Sequence, residues 1–302
     1  MKYAFLCFFC MVIFCYCSDG KKTPPDDSVQ NTTEEHRSHV AILDWIEANV
    51  DSVLEKHVFT ALNRMKMPYR LFKPNIELER KVPLVVFLHG RGDRGSENGS
   101  RVFERVGLFM NERSLISPHI QSTYPCYVLI PQCSDKTKNE EWAKWEGNTP
   151  ETPFKGLGTD GSYTMTDIPS ESGEAALELI DSIIQSYSID VDRIYLIGVS
   201  MGGFGTWEFT ARRPELFAAA VPMAGFSDPA QIDKIKDIPY WIFHGNADKS
   251  NPVEGSRKMS KLLEQAGSQV NYTEYDGVGH GASFRKAFDE PELIPWMFSH
   301  RR

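Results

Sequence analysis

Short runs dense in Val, Ile and aromatic residues recur along the chain at Pro83–Leu88, Tyr127–Ile130, Ile194–Val199, Ala218–Met223, Tyr240–Phe243 and Val270–Tyr275. Between most of them lie helical stretches, Glu174–Tyr187, Trp207–Arg213, Ser256–Ala266 and a terminal one near Phe284–Phe298. Apolar strands of this kind are covered on both faces, and parallel neighbours need a crossover, which the intervening helices provide. The pattern predicts one α/β domain, a mostly parallel central sheet with helices on both faces. The chain is long enough for it, with 302 residues of which 41% are hydrophobic. A further strand is expected over Met67–Phe72, followed by a hairpin turn at Pro74-Asn75. Apolar residues at Val40, Leu43, Ile46, Val50, Val53 and Leu54 predict a helix over 40–56 packed on the domain edge.

The amino terminus has a different character. Lys2 precedes an uncharged apolar run of 15 residues, Tyr3–Cys17, and polar residues follow from Ser18. Such a run is shorter than the roughly 18 to 20 residues of a spanning helix, so no integral membrane span is expected. It has the layout of an export signal. The organisation read from the sequence is therefore a signal peptide over 1–17, a flexible tether over 18–35 and a single domain over 36–302. The mature protein is expected to be secreted, periplasmic or extracellular. An alternative is a membrane-anchored lipoprotein with lipid at Cys17, because Cys17-Ser18-Asp19 resembles a lipoprotein start.

The formal net charge of -8 argues against nucleic acid as a partner. Four of the six cysteines fall in the signal, leaving Cys126 and Cys133 at the two ends of the run Tyr127–Pro131. If that run is extended they stand about 23 Å apart, well beyond the roughly 7 Å that a disulfide tolerates, so both are expected as free thiols. No His/Cys spacing suits zinc, and no metal or other cofactor is expected.

The chemistry concentrates after the strand runs. Gly198-Val199-Ser200-Met201-Gly202-Gly203 follows one run and opens a helix. A nucleophile on a tight strand-to-helix turn needs small neighbours, and a helix amino terminus favours the oxyanion formed on attack, so Ser200 is the candidate nucleophile. His89-Gly90-Arg91-Gly92 follows an earlier strand and can bring the Arg91 backbone N–H beside that of Met201 as a two-donor oxyanion hole. Further on, Asp248 in Gly245-Asn246-Ala247-Asp248 and His280 in Gly279-His280-Gly281 each follow a strand, in the order expected of an orienting acid and a general base. Asp228 is the rival acid, although Pro229 suggests that it caps a helix, and His244 reads as a turn residue. A long irregular segment, 134–169, is expected over the site, with Trp142 and Trp145 either stacking on substrate or clamping the segment down.

With these elements, Lys66–Arg302 resembles the polyhydroxybutyrate-depolymerase-like and feruloyl-esterase-like carboxylesterases of the α/β-hydrolase superfamily, a group also labelled predicted peptidases. The resemblance runs through Pro83-Leu84-Val85-Val86-Phe87-Leu88-His89-Gly90, Pro131-Gln132-Cys133, Gly198–Gly203, His244-Gly245 with Asp248, and Gly279-His280. It implies an α/β-hydrolase fold, a Ser200, Asp248 and His280 triad, and an oxyanion hole from Arg91 and Met201. The implied reaction is hydrolysis of short-acyl, acetyl or feruloyl esters, small molecules or polysaccharide decorations, through an acyl-enzyme. The sequence departs from that group at Gly281-Ala282-Ser283-Phe284 and in the extra residues 21–60. A prolyl-oligopeptidase-like peptidase and a non-catalytic glycan-binding module are the alternatives.

Overall fold

The computed structural model describes residues 27–76, 80–104, 107–136, 144–147, 161 and 163–302. The expected signal peptide, the lipid-attachment candidate Cys17 and Trp142 lie outside the described residues. The chain divides into two compact units, Met1–His39 and Val40–Arg302. Of the first, residues 27–39 are described and helical, part of α1 (Asp27–Val53). The helix thus begins inside the segment expected as a tether.

The second unit holds an eight-stranded sheet in the order β1-β2-β4-β3-β5-β6-β7-β8. Its strands are β1 (Glu55–Thr60), β2 (Lys66–Phe72), β3 (Val82–Leu88), β4 (Tyr127–Pro131), β5 (Ile189–Val199), β6 (Ala219–Met223), β7 (Tyr240–Gly245) and β8 (Val270–Tyr275). β1 pairs antiparallel with β2 and β2 with β4, and every later pairing is parallel. β3 and β4 are buried along their whole length, as uninterrupted apolar runs require. The helices after α1 are α2 (Arg101–Glu104), α3 (Gly107–Met110), α4 (Pro118–Thr123), α5 (Glu171–Ser186), α6 (Met201–Arg212), α7 (Ile232–Ile235), α8 (Val253–Gln265), α9 (His280–Phe288) and α10 (Leu293–Ser299). Apolar clusters fill both sides of the sheet. On one side Ile46 and Val50 of α1 join Val85, Phe87 and Phe288, and on the other Ala176 and Ile180 of α5 join Leu84, Val86 and Leu196.

Three local expectations are corrected. The helix expected over 40–56 ends at Val53, and Glu55–Thr60 forms the edge strand β1, whose residues alternate between half-buried and exposed. The hairpin turn lies at 61–65 rather than at Pro74-Asn75: the Ala61 N–H donates to the Met65 carbonyl (2.9 Å), and Asn63 Oδ1 accepts the Met65 N–H (2.9 Å). After β2 the chain instead crosses to β3, which is not its neighbour in the sheet. The terminal helix is two helices, α9 and α10, with Pro291 between them.

β3 has β4 on one side and β5 on the other, so the chain's direction of travel across the sheet reverses there. Ligands of open α/β sheets sit outside the strand carboxyl ends at such a reversal. The loops that leave β3 and β5 carry His89–Arg91 and Ser200.

Candidate active site

Ser200 occupies the single residue between β5 and α6, and its φ of 56° with ψ of -116° lies in a region that costs a non-glycine residue roughly 1 to 3 kcal/mol. Packing holds it there. The Ser200 N–H donates to the Met223 carbonyl of β6 (2.9 Å), and its carbonyl accepts the Phe204 N–H (3.1 Å). Two residues on, a Cβ at Gly202 would stand 1.9 Å from the Leu88 carbonyl oxygen, so only glycine lets α6 start this close to β3. Although Ser200 caps α6, its hydroxyl makes no capping bond. It lies 2.8 Å from His280 Nε2 instead.

His280 is the first residue of α9, so the base stands at a helix start. Its Nδ1 lies 2.5 Å from Asp248 Oδ2. A carboxylate at that distance accepts, so Nδ1 carries the proton and Nε2 is left to accept the Ser200 hydroxyl. The Phe284 ring, one helical turn along, meets the imidazole edge-on with centroids 4.9 Å apart.

Asp248 is fully buried and sits in a turn welded to the histidine's own loop: the Ala247 N–H donates to the Val278 carbonyl and the Asn246 N–H to the Tyr275 carbonyl, both at 3.1 Å. Its Oδ1 accepts the N–H groups of Ser250 (2.7 Å) and Asn251 (3.0 Å), and its Oδ2 takes His244 Nε2 (3.2 Å) as well as His280. Burial pushes this carboxyl's pKa up, but the hydrogen bonds from His244, His280 and Asn251 outweigh it and hold the group well below the ordinary carboxylate range. It is a fixed anion behind the imidazole.

The loop after β3 runs beside the serine, since a Cβ on Gly90 would stand 3.7 Å from Ser200 Cβ. Arg91 opens a short 3-10 turn there, and Met201 begins α6. His89 stitches this loop down. Its Nδ1 donates to the Gly90 carbonyl (2.7 Å), its Nε2 accepts the Cys133 N–H (3.0 Å), and its carbonyl accepts Trp145 Nε1–H (3.0 Å). Complete burial lowers the His89 pKa to about 4, which keeps the ring neutral and the acceptor available.

Of the two roles left open for Trp145, stacking on substrate and clamping the irregular segment, its surroundings fit the clamp. The ring is fully buried, edge-on to His89 and Phe209, where its N–H and its bulk fasten the irregular segment to the core. Other pins on the segment are Glu208, which accepts the Gly147 N–H (3.1 Å), and Arg212, which donates to the Thr166 and Asp167 carbonyls. Asp228, the rival acid, caps a 3-10 turn through the Ala230 N–H (2.9 Å) and accepts the Met165 N–H (3.0 Å). The engagement of His244 with Asp248 was missed. The His-Gly-Asn-Ala-Asp spacing was its only sequence signal, and a tertiary bond completes it. Cys126 and Cys133 are buried free thiols. Among the described residues no cluster of three His, Cys, Asp or Glu is placed to hold a metal, and no helix is long and apolar enough to cross a membrane.

Comparison with known proteins places this arrangement. The prolyl oligopeptidase family matches residues 173–242, the stretch from α5 into β7. A solved thermostable esterase is 33% identical with a TM-score of 0.69, over 87% of this chain and 64% of that one. The endo-1,4-beta-xylanase/feruloyl esterase of Xylanibacter ruminicola is 35% identical over 129 residues, 41% of this chain and 17% of that protein. An uncharacterized secreted protein of Arthroderma benhamiae is 24% identical over 294 residues, 85% of this chain and 27% of that protein. The chain therefore spans less than a third of the length of these two curated relatives. The sheet order, the serine turn between β5 and α6 and these likenesses agree: the chain has an α/β-hydrolase fold and is similar to esterases built on it.

Proposed function

We propose that this chain is a serine carboxylesterase whose nucleophile is Ser200. The observation that carries the reading is the continuous relay from the Ser200 hydroxyl to His280 Nε2 (2.8 Å) and from His280 Nδ1 to Asp248 (2.5 Å), ending on a strained strand-to-helix turn. His280 takes the serine proton as Ser200 attacks the ester carbonyl, and Asp248 holds the imidazole and stabilises its cation. The backbone N–H groups of Met201 and Arg91 receive the oxyanion. His280 then returns the proton to the leaving alcohol, and a water that it deprotonates releases the acid from the acyl-enzyme.

For the substrate we favour acetyl or feruloyl esters, including those that decorate polysaccharides, because a xylanase/feruloyl esterase and a bifunctional acetylxylan esterase/xylanase are among the relatives. The match to the prolyl oligopeptidase family supports a second reading, peptide cleavage by the same relay. A panel of acetyl, butyryl and feruloyl aryl esters assayed beside a prolyl peptide separates them: ester turnover is expected and peptide turnover is not. A prolyl peptide cleaved faster than every ester would overturn the assignment.

Export forms part of the proposal, with a signal over 1–17 ahead of the hydrolase domain, and the secreted relative is in keeping with it. Mass spectrometry of natively expressed protein is expected to find a start near Ser18 or a lipid-bearing Cys17. Soluble material that retains Met1 would rule it out.

A further inference from the structure

β7 delivers a second histidine to the acid, and the mechanism above leaves it unused. His244 is completely buried at the end of that strand, with each ring nitrogen engaged. Its Nε2 faces Asp248 Oδ2 and the Asn251 carbonyl, both at 3.2 Å, while its Nδ1 lies 2.7 Å from the Ser256 hydroxyl of α8. The proton positions follow from the partners. A carboxylate and a carbonyl only accept, so Nε2 carries a proton and shares it between them. The Ser256 hydroxyl is itself held by the Gly225 carbonyl (3.2 Å), which also accepts Trp207 Nε1–H (3.1 Å). The same hydroxyl anchors Nδ1 from the α8 side, and the Nε2–H stays aimed at the acid.

Four donors then converge on one carboxylate: the amides of Ser250 and Asn251 on Oδ1, and the two imidazoles on Oδ2. The amides fix the carboxylate's plane, but both lie on the Oδ1 side. Only His244 braces the oxygen that faces His280, and its own orientation is set from outside the loop by α8.

Building on the triad reading, we infer that His244 is a positioning residue of the esterase: its Nε2–H holds Asp248 Oδ2 in line with His280 Nδ1. It touches neither substrate nor the reacting atoms. Its effect reaches the reaction through the alignment of the acid, and so should appear in kcat rather than in KM.

Two amide substitutions test this, because each reproduces one half of the imidazole. In His244→Gln the amide nitrogen can stand where Nε2 stands and donate to Asp248. In His244→Asn the shorter amide sits where Nδ1 stands and reaches Ser256 only. The asparagine variant is expected to lose roughly tenfold to a hundredfold in kcat with KM nearly unchanged, and the glutamine variant to recover most of that loss. Equal kcat values for the two, or a loss confined to KM, would overturn the assignment. Histidine ¹⁵N spectra of the unmodified protein at neutral pH provide a test that needs no variant, since Nε2 of His244 is expected to carry a proton and a proton on Nδ1 alone would contradict it. Ser200→Ala is assayed in parallel. Its inactivity together with equal Asn and Gln variants would remove the positioning role alone, whereas retained ester turnover in Ser200→Ala would remove the triad reading and this inference with it.

Discussion

The turns after β6 and β7 leave neighbouring strands, and each carries a buried aspartate, yet the two carboxylates are used in opposite ways. Among the described residues Asp228 accepts backbone amides alone, those of Ala230 and Met165, and in doing so starts a 3-10 turn and pins the irregular segment. Asp248 accepts two backbone amides and two imidazoles. Burial does not tell them apart, and neither does their position beyond a strand's carboxyl end. The difference lies in the residues immediately downstream of each. Pro229 directly after Asp228 fixes φ for a turn and turns the carboxylate back onto its own backbone. After Asp248 the proline is delayed to position 252, and the intervening amides of Ser250 and Asn251 occupy one carboxylate oxygen while the other faces His280. An aspartate whose partners are all backbone builds a loop, and one that also meets a side-chain N–H can tune a reaction.

The largest break in this contrast comes from the groups that Asp248 serves. Ser200→Ala and His280→Ala are expected to lower kcat on a short aryl ester by roughly a millionfold, leaving the residual rate that the oxyanion hole and substrate binding supply. Exchange of the carboxylates themselves comes next. Asp248→Asn is expected to lose about 10⁴-fold in kcat with KM little changed. Asp228→Asn should stay within about threefold of the parent in kcat, and because Asn caps as well as Asp, thermal unfolding should register only the lost acceptor for the Met165 N–H, about 1 kcal/mol. A large kcat loss in folded Asp228→Asn with an active Asp248→Asn would exchange the two roles.

Stability against pH sharpens the contrast with the loop after β3. His89 has its folded pKa lowered to about 4, below the 6.5 of the free side chain, so the unfolded chain binds more protons between those values. Its contribution, about 3 kcal/mol, is complete above pH 6.5 and is lost as the pH falls towards 4. Asp248 is depressed instead, so its contribution persists until the pH falls below the ordinary carboxylate range. Denaturant unfolding between pH 7 and pH 4.5 should therefore lose part of its slope in His89→Gln and keep it in Asp248→Asn. The smallest effect is expected of Trp145→Phe, which removes the donor to the His89 carbonyl. It should cost roughly 1 to 3 kcal/mol of stability and leave KM for a feruloyl ester unaltered. A KM that rises tenfold while stability holds would return Trp145 to the substrate.

Legibility in the sequence followed burial. The central strands β3, β4, β6 and β7 could be read because full burial leaves apolar runs, and the glycine-flanked serine could be read because close backbone approach leaves its mark on composition. β1 escaped because an edge strand needs only one apolar face, and Lys56, Val58 and Thr60 point outward. The break between α9 and α10 was written in Pro291 and was passed over. Trp145 could not be assigned from its neighbours, since aromatic residues in an irregular segment look alike whether they line a cleft or close a core. His244 escaped for a different reason: Ser256, which orients it, lies 12 residues away on a helix, and only the folded chain brings the two together.

The most direct test of the account is covalent capture by an aryl phosphonate ester, which is attacked by an activated serine and mimics the tetrahedral intermediate. One equivalent should bind, peptide mapping should place it on Ser200, and capture should fall by orders of magnitude in His280→Ala. Label on another residue, or undiminished capture at Ser200 in His280→Ala, would contradict the claim that the relay through His280 to Asp248 activates this serine.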